Sequence, residues 1–344
     1  MVDHGGTGSG HLHGSVGIRL SSRVGQAPGG YQLSAGDPAH TLEFGLGLIL
    51  DGVAGLDRPG RARTPTPNRG TLIAMTTIAI LGAGKIGEAM LAGLLGAGCS
   101  PETLLFTERY PERVAELTAR YGVRGVETDE AAAVADVLIV AVKPQDIDPL
   151  LHALSWSIKP GTLVVSLCAG LPTALYERHL PAGTPVVRVM PNTPMLVGEA
   201  MSAISGGSHA QPEHLQLVED LLSTVGKVVR VPEEQQDAVT ALSGSGPAYF
   251  FYLVEAMIDA GILLGLPRSV STELIIQSAV GAARMLRETG EHPVALREAV
   301  TSPGGTTIAA IRELENHAVR AALLSAIEAA AVRSAELGKS HSGA

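Results

Sequence analysis

An α/β domain followed by an all-α domain is the architecture this sequence predicts, on three observations. From Thr76 to about Gly170, short apolar runs alternate with helical stretches. After Gln235 only helical patterns remain, and a glycine-rich turn joins the first apolar run to the first helix. Strands and helices alternating at this spacing imply right-handed crossovers, and hence a parallel sheet with helices on both faces.

Residues 1–74 stand apart from this pattern. Gly, His, Pro, Ser and Arg dominate there, and no period is sustained beyond a brief apolar patch at Leu42–Leu50. That composition predicts a disordered extension. A buried-strand pattern starts directly after Met75, so translation from Met75 would yield both predicted domains whole and make the extension a gene-start artefact. A targeting peptide is the rival reading. Arg19, Arg23 and the scarcity of acids in the first 35 residues fit one, whereas no amphipathic helix or apolar signal core supports it.

Residues 75–235 form the predicted first domain. Ile78–Leu81, Thr103–Thr107, Val137–Val142 and Thr162–Leu167 are apolar or β-branched runs of strand length, with helical stretches such as Ile86–Leu95 and Pro111–Tyr121 between them. Val186–Met190, Ala200–Ile204 and Lys227–Val231 are further strands, and Pro212–Thr224 is a helix. Residues 236–338 form the predicted all-α domain. Ala248–Leu264 is apolar nearly all round apart from Glu255 and Asp259, the pattern of a buried helix. Ser271–Glu288, Pro293–Val300, Thr306–Leu314 and His317–Leu337 complete it, before a tail at 339–344. Their apolar surface exceeds what one small bundle can hide, which predicts a homodimer built on this domain.

Composition narrows the function classes. A chain of 344 residues with 45% hydrophobic content can bury two cores. The formal charge of −9 lacks any Lys/Arg block, so neither a nucleic acid nor an anionic membrane surface is an expected partner. No uncharged apolar run reaches the roughly 18 residues that span a bilayer. The two cysteines, Cys99 and Cys168, have no metal-ligand spacing, so no metal is expected, and they fit a reducing cytoplasm.

Gly82-Ala83-Gly84-Lys85-Ile86-Gly87 is a G-x-G-x-x-G set between a strand and a helix, the context that gives this motif its meaning. The first glycine permits the tight turn, the second lets the backbone approach a pyrophosphate, and the third lets helix pack on strand. The first domain is therefore Rossmann-type. Glu108 stands at the end of the second strand, where an acid would bind the ribose hydroxyls of NAD, and Arg109 beside it could instead hold the 2′-phosphate of NADP. Both readings stay open on the residues alone, as does a plain solvated turn. Lys143 and Pro144 end the strand at Ala141-Val142, where ligands of such sheets bind. The turn Thr301-Ser302-Pro303-Gly304-Gly305-Thr306-Thr307 opens a helix, so its N–H groups and the helix dipole suit a small carboxylate, although Ser, Thr and Gly also favour helix starts without a ligand. Ser243-Gly244-Ser245-Gly246 does not meet the hydrolase G-x-S-x-G, because Ser occupies position 243 and no strand precedes it. His292, before Pro293 in a polar turn, reads as structural.

These motifs, together with Leu242 through Tyr249 and Val187-Arg188-Val189-Met190-Pro191-Asn192-Thr193-Pro194, fall in the order found in the pyrroline-5-carboxylate reductases, which the chain resembles over residues 75–337. The resemblance implies reduction of 1-pyrroline-5-carboxylate to L-proline by hydride from NAD(P)H. It implies that Ser302, Gly304, Gly305 and Thr306 hold the substrate carboxylate, and that Thr307 approaches the ring nitrogen as the candidate proton donor. Ala141, Val142, Lys143 and Pro144 would lie on the nicotinamide side, as would Cys168, Ala169 and Gly170, with Asn192 near the cleft. The family usually has a small polar residue at position 108 and often Arg at 109, which favours NADPH, with NADH possible. Family members often carry Asn near position 128, so the expected cofactor contact at Thr128 is a departure. The family often builds rings of dimers. A related β-hydroxyacid or imine dehydrogenase would want a catalytic Lys on a central helix, and Ser278–Leu286 offers none. A non-catalytic dinucleotide-binding protein would bind cofactor without turnover.

Overall fold

A computed structural model of the chain describes residues 76–341. The extension read at 1–74 and its junction at Met75 lie outside the described residues. Eight strands form one sheet: β1 (Ile78–Leu81), β2 (Leu104–Thr107), β3 (Arg124–Gly125), β4 (Val137–Val140), β5 (Leu163–Ser166), β6 (Val186–Met190), β7 (Ala200–Gly206) and β8 (Gly226–Arg230). Their order is β3-β2-β1-β4-β5-β6-β7-β8. Strands β1 to β6 are mutually parallel, each reached by a helical or long crossover. Strand β7 turns antiparallel to β6, and β8 pairs parallel to β7. The link from Met190 to Ala200 is too short for a crossover, so the chain reverses there.

Between the edge strands β3 and β8 the sheet buries both faces, as its near-continuous Val/Ile/Leu runs require. Side chains alternate between faces along each strand. Ile78, Ile80, Phe106, Ile139, Val165 and Val189 share one core with Met90, Leu94, Leu117 and Leu221 from the helices α1 (Lys85–Gly96), α2 (Pro111–Tyr121) and, later in the chain, Pro212–Leu222. Ala79, Leu81, Leu138, Val140 and Val164 face the other core, with Ala131 and Ala132 of α3 (Thr128–Val134), Leu151 and Leu154 of α4 (Ile147–Ser157), and Leu175 and Tyr176 of α5 (Thr173–His179). The edge strand β3 escaped the sequence pattern, because two residues, Arg and Gly, carry no period. Pairing of Leu105 with Arg124 and of Phe106 with Gly125 defines it.

Past β8 come only helices, with α6 at Pro212–Leu222 already passed: a π-helical segment Thr240–Gly244 leading into α7 (Gly246–Leu263), then α8 (Arg268–Thr289), α9 (Pro293–Ala299), α10 (Thr306–Asn316) and α11 (Val319–His341). Helices α7 and α8 form a hairpin in which Gly261 lies so close to Ser271 that a Cβ would collide with its Oγ. Helix α11 returns to the start of the helical domain, where Ser334 donates to Asp237 Oδ1 at 2.7 Å, and to the α/β domain, where Gly338 approaches the Gly170 carbonyl.

The expectation that the 248–264 helix is buried fails within one chain. Phe250 and Phe251 are each 68% exposed and Leu263 88%. Its apolar faces have only α8 and short segments to pack on, so burial has to come from outside the protomer. By length and composition the helical run Glu233–Leu263 could also cross a membrane, one such run among the described residues. Glu255 and Asp259 interrupt its surface.

Candidate active site

A crevice of about 830 Å3 opens at the carboxyl ends of β1, β2 and β4, the place where open α/β sheets bind ligands. Its floor is the glycine turn. Gly82 has φ +95°, which only glycine adopts without strain. The amides of Gly82 and Ala83 both donate to the Thr107 carbonyl at 3.1 Å, which ties the turn to the end of β2. A Cβ on Gly87 would collide with the Gly82 carbonyl oxygen, whereas one on Gly84 would meet nothing within 4 Å. So Gly87 lets α1 pack on β1, and Gly84 keeps the crevice open. Helix α1 has no side-chain cap, so its first-turn amides, at Lys85 and Ile86, lack a capping acceptor and face the positive end of the helix dipole. A pyrophosphate fits this cradle.

The adenosine end is built from β2 and the helices that flank it. Glu108 folds back on its own turn, its Oε1 accepting from the Arg109 amide at 2.7 Å and the Tyr110 amide at 3.4 Å. Arg109 reaches across the crevice to Asp146 Oδ1 at 3.2 Å. That hydrogen-bonded pairing raises the guanidinium pKa above its ordinary value, although the side chain is 69% exposed and the pair contributes little to stability. Apolar walls come from Val126 and from Pro149, Leu150 and Ala153 on one face of α4. Thr128 lines the same end. Ala141, Val142 and Lys143 line the other side, after β4.

Arg113, in the first turn of α2, also lines the crevice and was not singled out by the sequence. It donates to Glu88 and, at 2.7 Å, to Glu116. Glu88 further accepts from Arg120 at 2.6 Å and Tyr121 Oη at 2.9 Å. Burial pushes the Glu88 carboxyl up, but the hydrogen bonds from Tyr121 and Arg113 and the Arg113 charge outweigh it, holding the group below its ordinary 4.5.

Other residues expected at the site stand elsewhere. Pro144 starts a short turn, Pro144–Asp146, whose Gln145 and Asp146 line the crevice while Pro144 itself does not. Cys168 is buried, its thiol pushed up by that burial and its Sγ 3.3 Å from the Val142 carbonyl. Gly170, at φ +77°, packs against α11 near Leu337. Asn192 is held structurally: its Nδ2 donates to the Ser243 carbonyl at 3.1 Å, and its Oδ1 accepts from the Met201 amide at 2.9 Å. It thereby ties the end of β6 to the π-helical entry of the helical domain. The turn from Ser302 to Thr307 lies outside the crevice lining. Gly304 has φ +68°, the Gly305 amide donates to the Ser302 carbonyl at 3.1 Å, and Gly305 starts α10 without a side-chain cap. Amides at the start of α10 are thus available to an anion on an exposed surface.

Comparison with known proteins follows the same division. Residues 77–170 match the family model for NADP oxidoreductases that depend on coenzyme F420, and residues 233–337 match pyrroline-5-carboxylate reductase dimerisation. A pyrroline-5-carboxylate reductase from Corynebacterium melassecola is 49% identical over 269 residues, covering 77% of this chain and all of that protein. The chain belongs to the pyrroline-5-carboxylate reductase family. A solved member from Coxiella burnetii, 35% identical, superposes with a TM-score of 0.72 over 76% of this chain and 98% of its own. The Plasmodium falciparum enzyme, solved with NADP bound, gives 0.71 at 27% identity over 77% and 99%. The chain is thus an NAD(P)H-dependent oxidoreductase that reduces pyrroline-5-carboxylate to proline.

Proposed function

We propose that NADPH is the preferred donor, seated along the crevice, and that the Ser302–Thr307 turn binds the substrate carboxylate. The observation that carries this reading is the open glycine cradle followed by two arginines at the adenosine end. NAD(P)H supplies a hydride for the imine carbon of the ring. The chain's own residues orient and hold. The uncapped α1 amides at Lys85 and Ile86, with the Gly84 backbone before them, grip the pyrophosphate, and Gly82, Ala83 and Gly87 shape the turn beneath it. Glu108 and Arg109 meet the ribose and its 2′-phosphate, and Thr128 closes the adenine side. Ala141, Val142, Lys143 and Pro144 border the nicotinamide, backed by Cys168, Ala169 and Gly170, while Asn192 fixes the approach of the helical domain.

Ser302 and the Gly304 and Thr306 amides take the carboxylate, Gly305, whose amide is held by the Ser302 carbonyl, shapes the turn beneath it, and Thr307 orients the ring nitrogen that gains a proton. A Thr hydroxyl is too weak an acid to protonate an imine alone, so it relays from water. Residues 75–235 act as the cofactor domain and 236–338 as the substrate and dimerisation domain of a homodimer. Rings of such dimers, in the cytoplasm, are the finer form of this reading.

Two substitutions separate the roles. Thr307→Val keeps shape and backbone and deletes the hydroxyl, so kcat should fall about 10²-fold with cofactor affinity unchanged. Ser302→Ala should mainly raise the substrate KM. Full kcat in Thr307→Val would assign the proton to another group.

A further inference from the structure

The adenosine end of the crevice holds a second arginine whose geometry is more constrained than that of Arg109. Arg113 is only 27% exposed, and Glu88, from the helix that opens at the glycine turn, and Glu116 hold its guanidinium from two sides. Glu88 is itself fixed, 17% exposed and clasped by Arg120 and Tyr121 as well. The two bonds made by Arg113 engage two of the five N–H donors of a guanidinium, so three remain for a ligand. Formal charge balances within this group, Arg113 and Arg120 against Glu88 and Glu116, and again between Arg109 and Asp146. A dianion entering between the two arginines therefore meets donors that are already in place. Glu108 and Glu127 are the lining acids outside these pairs, and the Glu108 oxygen is drawn onto the Arg109 and Tyr110 amides.

We propose that Arg113 is a second residue that binds the 2′-phosphate of NADPH and sets the choice between NADPH and NADH together with Arg109. The inference rests on the reading that the crevice takes NADPH. The ribose of a bound dinucleotide lies at the carboxyl end of the second strand, where Gly84, Glu108, Arg109 and Arg113 share the lining. A phosphate with three acceptor oxygens gains from two forks more than from one. Arg109 is the exposed partner, tied to Asp146. Arg113 is the fixed one.

Calorimetric titration of the full chain with adenosine 2′,5′-bisphosphate and with 5′-AMP tests this without turnover, since the two probes differ by the phosphate in question. Arg113→Gln should weaken the bisphosphate about tenfold, the loss of one charge-assisted contact, and leave 5′-AMP unchanged. Arg113→Lys, which keeps the charge without the fork, should recover part of that loss. The ratio of kcat/KM for NADPH over NADH should fall in parallel with the bisphosphate affinity. Equal weakening of both probes in both variants would reduce Arg113 to a structural role and overturn the proposal. So would unchanged bisphosphate binding in Arg113→Gln alongside a loss in Arg109→Ala, which would leave the NADPH reading standing. A wild-type chain that binds both probes equally would remove the NADPH reading itself, and this inference with it.

Discussion

Each residue at the adenosine end makes a separable contribution. Arg109→Ala should raise the KM for NADPH much more than that for NADH, because the 2′-phosphate is the one group that distinguishes them. Equal effects measured with both cofactors would take Arg109 out of the phosphate site. Glu108→Ser should act in the opposite sense, relieving repulsion with that phosphate and freeing the amides its carboxylate now occupies. Gly87→Ala tests the turn itself: its Cβ would meet the Gly82 carbonyl, a backbone group that cannot move aside cheaply. A loss of thermal stability of several degrees is expected, together with weaker cofactor binding. The glycine turn, Glu108 and Arg109 were legible in the sequence because strand, turn and helix follow one another directly. Arg113 and Asp146 were not. They reach the crevice from the first turn of a helix and from the loop after another strand, so spacing along the chain does not announce them. Asn192 illustrates the converse, a motif residue visible in the sequence whose amide the fold spends on Ser243 and Met201.

At the scale of elements, periodicity placed most strands and helices within a residue or two. The exceptions have physical reasons. The strand β3 is too short for any pattern, and the direction of β7 is set by the brevity of the preceding link rather than by its composition. Packing of α1 against α2 depends on the Glu88 cluster, which gives it a pH signature. Because the folded-state carboxyl lies below its ordinary 4.5, its contribution to stability is full above that value and is lost as pH falls through the folded pKa. Asp136, lowered chiefly by its hydrogen bond from Lys159, follows the same sign. Thermal midpoints should therefore hold steady from neutral pH down to about 5 and then drop. Glu88→Gln should show a lower plateau and a shallower drop in a pH series of melting curves. An unchanged drop would place the acid-labile group elsewhere.

Over the whole molecule, the helical domain reads differently as a sequence and as a single chain. Its helices are apolar enough for a core, yet Phe250, Phe251, Tyr252 and Leu263 stand exposed in one protomer. The sequence correctly registered too much apolar surface for one bundle, but could not say which faces remain open. Coverage of residues 233–337 by the dimerisation model identifies the partner as a second copy. Phe251→Asp should shift the mass measured by light scattering toward the monomer and lower kcat/KM by at least tenfold, whereas a variant that stays dimeric would move the interface to other helices. A chain starting at Met75 should retain full kcat/KM, since the strand pattern begins directly after it. A tenfold loss would give the extension a role. The central claim is that the glycine cradle and the Ser302–Thr307 turn serve one reaction. It is tested most directly by steady-state oxidation of NADPH and NADH by the purified full chain, with and without 1-pyrroline-5-carboxylate, and with proline quantified in the product. The account predicts turnover of about 1–10³ per second that requires the imine, yields one proline per cofactor oxidised and favours NADPH. Cofactor binding without imine-dependent oxidation would contradict it.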